Sequence, residues 1–203
     1  MWTPLVLPLL EGSKLALSTL NEKSVIPKVG SIVYCNIIPG YINHSGVYIG
    51  DGKIIHRTSS GLIKETSPVE FMNAGVKLAL CIWVSCKDEQ PVGSELVAKR
   101  AKDKLYSYSE YNLICNNCYQ FCSGCLSGNF ENNSSFFSLL ESDCEEYLGS
   151  NNWVLWVWRD LDKTKEEIEK RLTTSTKYLG HEWRCCIKRV GEGKLDINQE
   201  MKP

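Results

Sequence analysis

His44 and His56 stand on either side of Gly50-Asp51-Gly52, and the length of that turn decides what this stretch can become. Side chains alternate faces along a strand, so a slip of one residue sends a whole set of them to the opposite face. If the loop is the two residues Asp51-Gly52, Val47 opposes His56 and His44 points to the other face. If it is Gly50-Asp51-Gly52, with Gly52 left-handed, Gly46 opposes His56. His44 is then the diagonal neighbour on the same face, roughly 7–8 Å away between backbones. Gly46 leaves room between the rings, and Asp51 belongs to the turn. The chain has only three histidines. A single histidine in a strand is more often structural than functional, but two on one hairpin with a glycine between them weigh against that reading. Metal binding is a rival use for the pair. No carboxylate or third histidine stands nearby at ligand spacing, so no metal is expected.

A thiol, an imidazole and a second polar group to orient that imidazole are the minimum for catalysis by a cysteine nucleophile. Asn117 is placed to cap a helix in which Cys118, Phe121, Cys122 and Cys125 fall on one face, with Ser127-Gly128 ending it. Cys118 lies in the first turn, beside unpaired backbone N–H groups and the positive end of the helix dipole. Both lower a thiol's pKa, and the same N–H groups, that of Cys118 included, suit the oxyanion of a tetrahedral intermediate. Without the histidines, Cys118 would read as one more buried thiol. Cys115, Cys118, Cys122 and Cys125 also resemble a zinc or iron–sulfur signature. On one helix, however, Cys118 to Cys125 spans about 10 Å of rise, a line rather than a tetrahedron. Phe121, Cys122 and Cys125 therefore read as core, free cysteine behaving as a small hydrophobe. His181, beside Cys185-Cys186, reads as a surface histidine near core cysteines rather than a fragment of a metal site.

At 203 residues one domain with extensions is expected. The net charge of −1 gives no reason to expect nucleic-acid binding. Ten cysteines suit either a disulfide framework or reduced thiols. Pro4, Pro8 and Glu11 precede the first lysine, Lys14, whereas a secretory signal carries positive charge ahead of its apolar run. Reduced cysteines and a cytoplasmic location are expected. The longest apolar candidate, Trp153 to Trp158, is far short of the roughly 20 residues that span a bilayer. The chain is expected to be soluble, with contact at a membrane surface left open.

Along the chain, strands are expected at Ser31 to Ile38, His44 to Ile49, Lys53 to His56 and Val76 to Val84, with a turn at Pro39-Gly40. Ser67-Pro68 starts a helix, and Ser94 caps another running through Val97, Ala98, Ala101 and Leu105. Asn129 to Ser135 reads as loop, Asp162 to Arg171 as charged and helix-prone, and the stretch from Gly191 as a polar tail. Strands first and helices after, around a small antiparallel sheet, fit an α+β class.

Two segments resemble the lecithin:retinol acyltransferase family. His44-Ser-Gly-Val-Tyr-Ile-Gly-Asp-Gly-Lys-Ile-Ile-His56 is similar to its histidine box, and Tyr111-Asn-Leu-Ile-Cys-Asn-Asn-Cys-Tyr-Gln-Phe121 to its Asn-Cys-Glu-His-Phe cysteine box. Val29 to Val33 and Thr66 to Phe71 also fit. The resemblance covers residues 26–128, read as the catalytic domain, with 1–25 and 129–203 as extensions. It implies a circularly permuted papain-like α+β fold, with Cys118 as nucleophile, His44 as general base and His56 as the residue that orients it. It also implies that a thioester acyl-enzyme forms on an ester or amide carbonyl, and that no cofactor takes part. Tyr119-Gln120 replaces the family's Glu-His, and no hydrophobic anchor of the kind that ends vertebrate members is expected.

The leading expectation is a thiol acyltransferase or hydrolase acting on phospholipid-like esters, a small-molecule lipid or acyl substrate. A peptidase or amidase of the permuted papain-like type is the alternative, and a non-catalytic binding module is a third reading. A lipid enzyme needs an apolar channel. Trp153, Trp156 and Trp158 suit either that channel or the core, and core is the safer choice.

Overall fold

The computed structural model describes residues 24–38, 42–73, 81–110 and 117–156. The expectations for residues 1–23, Pro39-Gly40, Val76 to Leu80, Cys115, Trp158, Asp162 to Arg171, His181, Cys185-Cys186 and the tail from Gly191 lie outside these residues.

Strands β1 (Ile32–Ile38), β2 (Ile42–Gly50), β3 (Lys53–Arg57) and β4 (Ile63–Thr66) follow one another, then helix α1 (Pro68–Met72). After β5 (Ile82–Lys87) and β6 (Gln90–Pro91) come α2 (Glu95–Asp103), α3 (Cys118–Ser127), α4 (Phe137–Leu148) and β7 (Asn152–Trp156). The sheet runs β4-β3-β2-β1-β5-β6, β7 also pairs with β5, and all pairings are antiparallel. Mixed helices and antiparallel sheet make the class α+β.

Alternation along the strands sorts the core to the two sheet faces. Ile32, Val47 and Ile55 meet Phe121, Cys122 and Leu140 on one side. Val33, Tyr48 and Ile54 meet Phe71, Val84 and Trp156 on the other. Helix α1 opens on a capping box: Ser67 Oγ accepts the Glu70 N–H at 3.3 Å, and Glu70 Oε2 accepts the Ser67 N–H at 3.0 Å. Ser94 stands at the start of α2 as expected but makes no side-chain capping bond there. That helix stops at Asp103, so Leu105 packs on the core from beyond its end. After residue 128, α4 and β7 join the same sheet and core, through Leu140 and Cys144 and through the five pairings from Ile82↔Trp156 to Cys86↔Asn152. Trp156 packs edge-on against Tyr48 at 5.2 Å between ring centroids, which makes it core rather than channel wall.

Candidate active site

The hairpin reconciles the two loop lengths the sequence allows. Gly50 pairs with Lys53 across a two-residue turn, yet Tyr48↔Ile54 and Val47↔Ile55 are offset from it by one residue, a bulge at Ile49-Gly50. Three successive residues take positive φ, Gly50 (98°), Asp51 (50°) and Gly52 (67°). Asp tolerates this region and glycine meets no steric cost in it. The bulge restores the register in which Gly46 faces His56, so both imidazoles stand on the same sheet face. His44 Nε2 lies 2.7 Å from His56 Nδ1, with the rings nearly perpendicular. Phe71 from α1 packs against both, at 4.9 Å and 5.4 Å between centroids.

Both rings are buried. Burial holds His44 down to about 4. It holds His56 well below the usual histidine range, with His44 and Lys64 adding in the same direction and a backbone bond at Arg57 opposing. Both imidazoles are therefore neutral at neutral pH.

Helix α3 brings its start to β2. Asn117 Oδ1 accepts the Tyr119 N–H at 2.9 Å and the Gln120 N–H at 3.1 Å, while Gln120 Oε1 accepts the Asn117 N–H at 3.1 Å. Tyr119 donates its hydroxyl to the Asn43 carbonyl at 2.6 Å. Gln120 donates from Nε2 to the Asn132 carbonyl at 2.9 Å, and Asn117 from Nδ2 to that of Ser135 at 2.8 Å. The Tyr119-Gln120 departure from the family motif thus has local work: the tyrosine ties the helix to the strand, and the glutamine closes the cap and holds the following loop. Cys118 sits against Ser45, whose N–H and hydroxyl both donate toward its sulfur. His44 lies between Asn43 and Ser45, so the start of α3 grips β2 on either side of it.

One expectation changes. Burial raises the Cys118 thiol above its ordinary value, outweighing bonds from the Ser45 N–H and Oγ, its own N–H and that of Tyr119. A helix start lowers a thiol's pKa where the thiol is partly exposed, and Cys118 is almost wholly enclosed. The resting site holds a neutral thiol and neutral imidazoles. The sequence marks Tyr119 only as a departure from the family motif and gives Ser45 and Phe71 no role at the site. A hydroxyl flanking a histidine in a strand carries no pattern of its own, since its partner lies more than seventy residues away.

Among the described residues, no group of three or more His, Cys, Asp or Glu is placed to hold a metal ion. No helix among them is long and apolar enough to cross a membrane.

The family model described as Lecithin retinol acyltransferase matches residues 26–131, more than half of the chain. The chain belongs to the lecithin retinol acyltransferase family. Membership points to acyltransferase or hydrolase chemistry in general. The match spans both histidines, the capped helix and Cys118. A search among curated proteins found no match to the chain.

Proposed function

We propose that Cys118 is the nucleophile of an acyl-transfer reaction on phospholipid or other lipid esters, with His44 as general base and His56 as the residue that positions it. The observation that carries this reading is the 2.7 Å contact between His44 Nε2 and His56 Nδ1 on a buried face, in a chain of this family. For His44 to take a proton at Nδ1, its own proton must rest on Nε2, which it then donates to His56 Nδ1. An imidazole neutral at neutral pH is free to accept. With a neutral thiol the proton moves as the sulfur attacks: the sulfur–carbon bond forms, His44 takes the thiol proton, and the carbonyl oxygen becomes an oxyanion. The amides of Tyr119 and Gln120 are engaged by Asn117, so the Cys118 N–H at the helix start is assigned as the oxyanion donor once the sulfur has bonded to carbon. On collapse the alcohol leaves with the proton from His44, and a thioester acyl-enzyme remains. Water, an amine or an alcohol then takes the acyl group. Strands carrying the histidines ahead of the cysteine helix support the permuted papain-like order.

Intact-protein mass spectrometry after incubation with a phospholipid, and separately with an ester-linked peptide, tests this. A fatty-acyl adduct on Cys118, absent in Cys118→Ala, is the expected result. Acylation from the peptide alone supports the peptidase reading, and an adduct that survives Cys118→Ala overturns the assignment.

A further inference from the structure

We infer that Ser45 is a positioning residue that holds the Cys118 sulfur as it becomes a thiolate, and that Cys122 fixes the direction in which the Ser45 hydroxyl donates. The inference rests on Cys118 being the nucleophile, and deepens that reading.

The backbone sets up the first donor. Tyr48 exchanges backbone bonds with Gly30 and Ser31, on the β1 side, so the alternate amides of Val47 and Ser45 point toward β3. Pairing between β2 and β3 stops at Val47↔Ile55, before it reaches Ser45. The Ser45 N–H is thereby left out of that ladder and turned to the Cys118 side, where it favours the thiolate.

The side chain supplies the second donor. Cys118 and Cys122 are one helical turn apart and face the same way, with Ser45 Oγ against both. The Cys122 S–H donates to Ser45 Oγ across 3.4 Å. A hydroxyl has one proton and two acceptor sites. With Cys122 donating into the oxygen, the Ser45 proton is left to point at Cys118. Ser45 is fully buried, so this geometry is held without competition from solvent. The other titratable groups felt at the sulfur are Cys35 from β1 and Cys122 from α3 itself. Neither carries charge at neutral pH, so the Ser45 donors are not masked by a neighbouring ion. Bonds to an ionised acceptor are the strong ones, which is why they matter most when the sulfur turns anionic.

The test is iodoacetamide labelling of the full chain across pH, mapped by peptide mass, run beside the acyl-adduct assay. Ser45→Ala should shift the Cys118 labelling midpoint upward by about one pH unit and slow both labelling and acylation near neutral pH by about tenfold, from loss of one bond to a charged acceptor. Ser45→Thr keeps the hydroxyl and should restore the parental profile, which a merely structural role would not require. Cys122→Ala leaves the hydroxyl free to rotate, and should shift the midpoint the same way by less. If Ser45→Ala does not fold, Cys122→Ala carries the test alone. Labelling profiles unmoved in the folded variants, with Cys118 still acylated, overturn the role of Ser45 and leave the nucleophile assignment standing. Acylation that persists in Cys118→Ala removes both.

Discussion

Gly46 shows how little freedom the site has at the level of one residue. A Cβ built there would lie 2.7 Å from Ile54 Cγ2 and 3.0 Å from both the Ile55 carbonyl oxygen and Phe71 Cε2. Two of those atoms belong to fully buried side chains and the third to strand backbone, so none can move aside cheaply. Phe71 also touches both imidazoles, so any shift of its ring is passed to the His44–His56 contact. Gly46→Ala should therefore destabilise the fold by about 1–3 kcal/mol in urea unfolding, the usual cost of overpacking, and slow acylation as well. A variant as stable and as active as the parent would show that the Phe71 ring yields freely. The histidine pair was legible at this scale because strand parity is a strict rule: with one face shared, only the register pairing Gly46 with His56 serves. The route to that register was not legible. A bulge and a three-residue loop produce the same offset, and choosing between them takes the backbone angles of Gly50, Asp51 and Gly52.

Among the elements, α3 has the clearest link between sequence signal and site. Asn117 followed three residues later by Gln120 is a reciprocal cap, and both halves of it form. Asn117→Ala should cost about 1 kcal/mol in denaturant unfolding. Because the same side chain also reaches the Ser135 carbonyl, the variant should loosen the helix start and slow acylation of Cys118 beyond what that loss of stability explains. Acylation at the parental rate would mean that Tyr119 and Ser45 alone hold Cys118 in place. Helix α4 had no such signal. Phe136 precedes it without a side-chain cap, and only Leu140 and Cys144 are buried along it, too few to stand out as a stripe in the sequence. Strand β4 is four residues long with two charged side chains at its centre, and it is a strand because β3 offers it a partner. Local pattern revealed the elements that are self-consistent; those fixed by a distant neighbour became visible only in the fold.

The molecule as a whole buries neutral forms of two opposite kinds of titratable group, and that shapes its stability across pH. His44 and His56 have folded-state pKa values below the unfolded one, His44 near 4 against an ordinary 6.5. Below pH 6.5 the unfolded chain takes up protons that the folded one refuses. Their contribution is thus fully present above that point and lost as pH falls toward 4. For His44 alone the span corresponds to about 3 kcal/mol, and His56 acts in the same direction. The cysteines do the reverse. All seven in the described residues are free and buried, and burial pushes Cys86 up to about 11 and Cys81 up to about 12 from an ordinary 9.0. Above pH 9 the unfolded chain releases protons that the folded one keeps, so stability falls again as pH rises through that range. Urea unfolding under reducing conditions should therefore give a plateau between pH 6.5 and pH 9, with a decline on each side. His44→Gln and His56→Gln together should flatten the acid limb and leave the alkaline one in place, since glutamine has nothing to titrate. An acid limb that persists unchanged between pH 6.5 and pH 4 in that double variant would assign it to carboxylates and remove the buried neutral histidine pair as its cause.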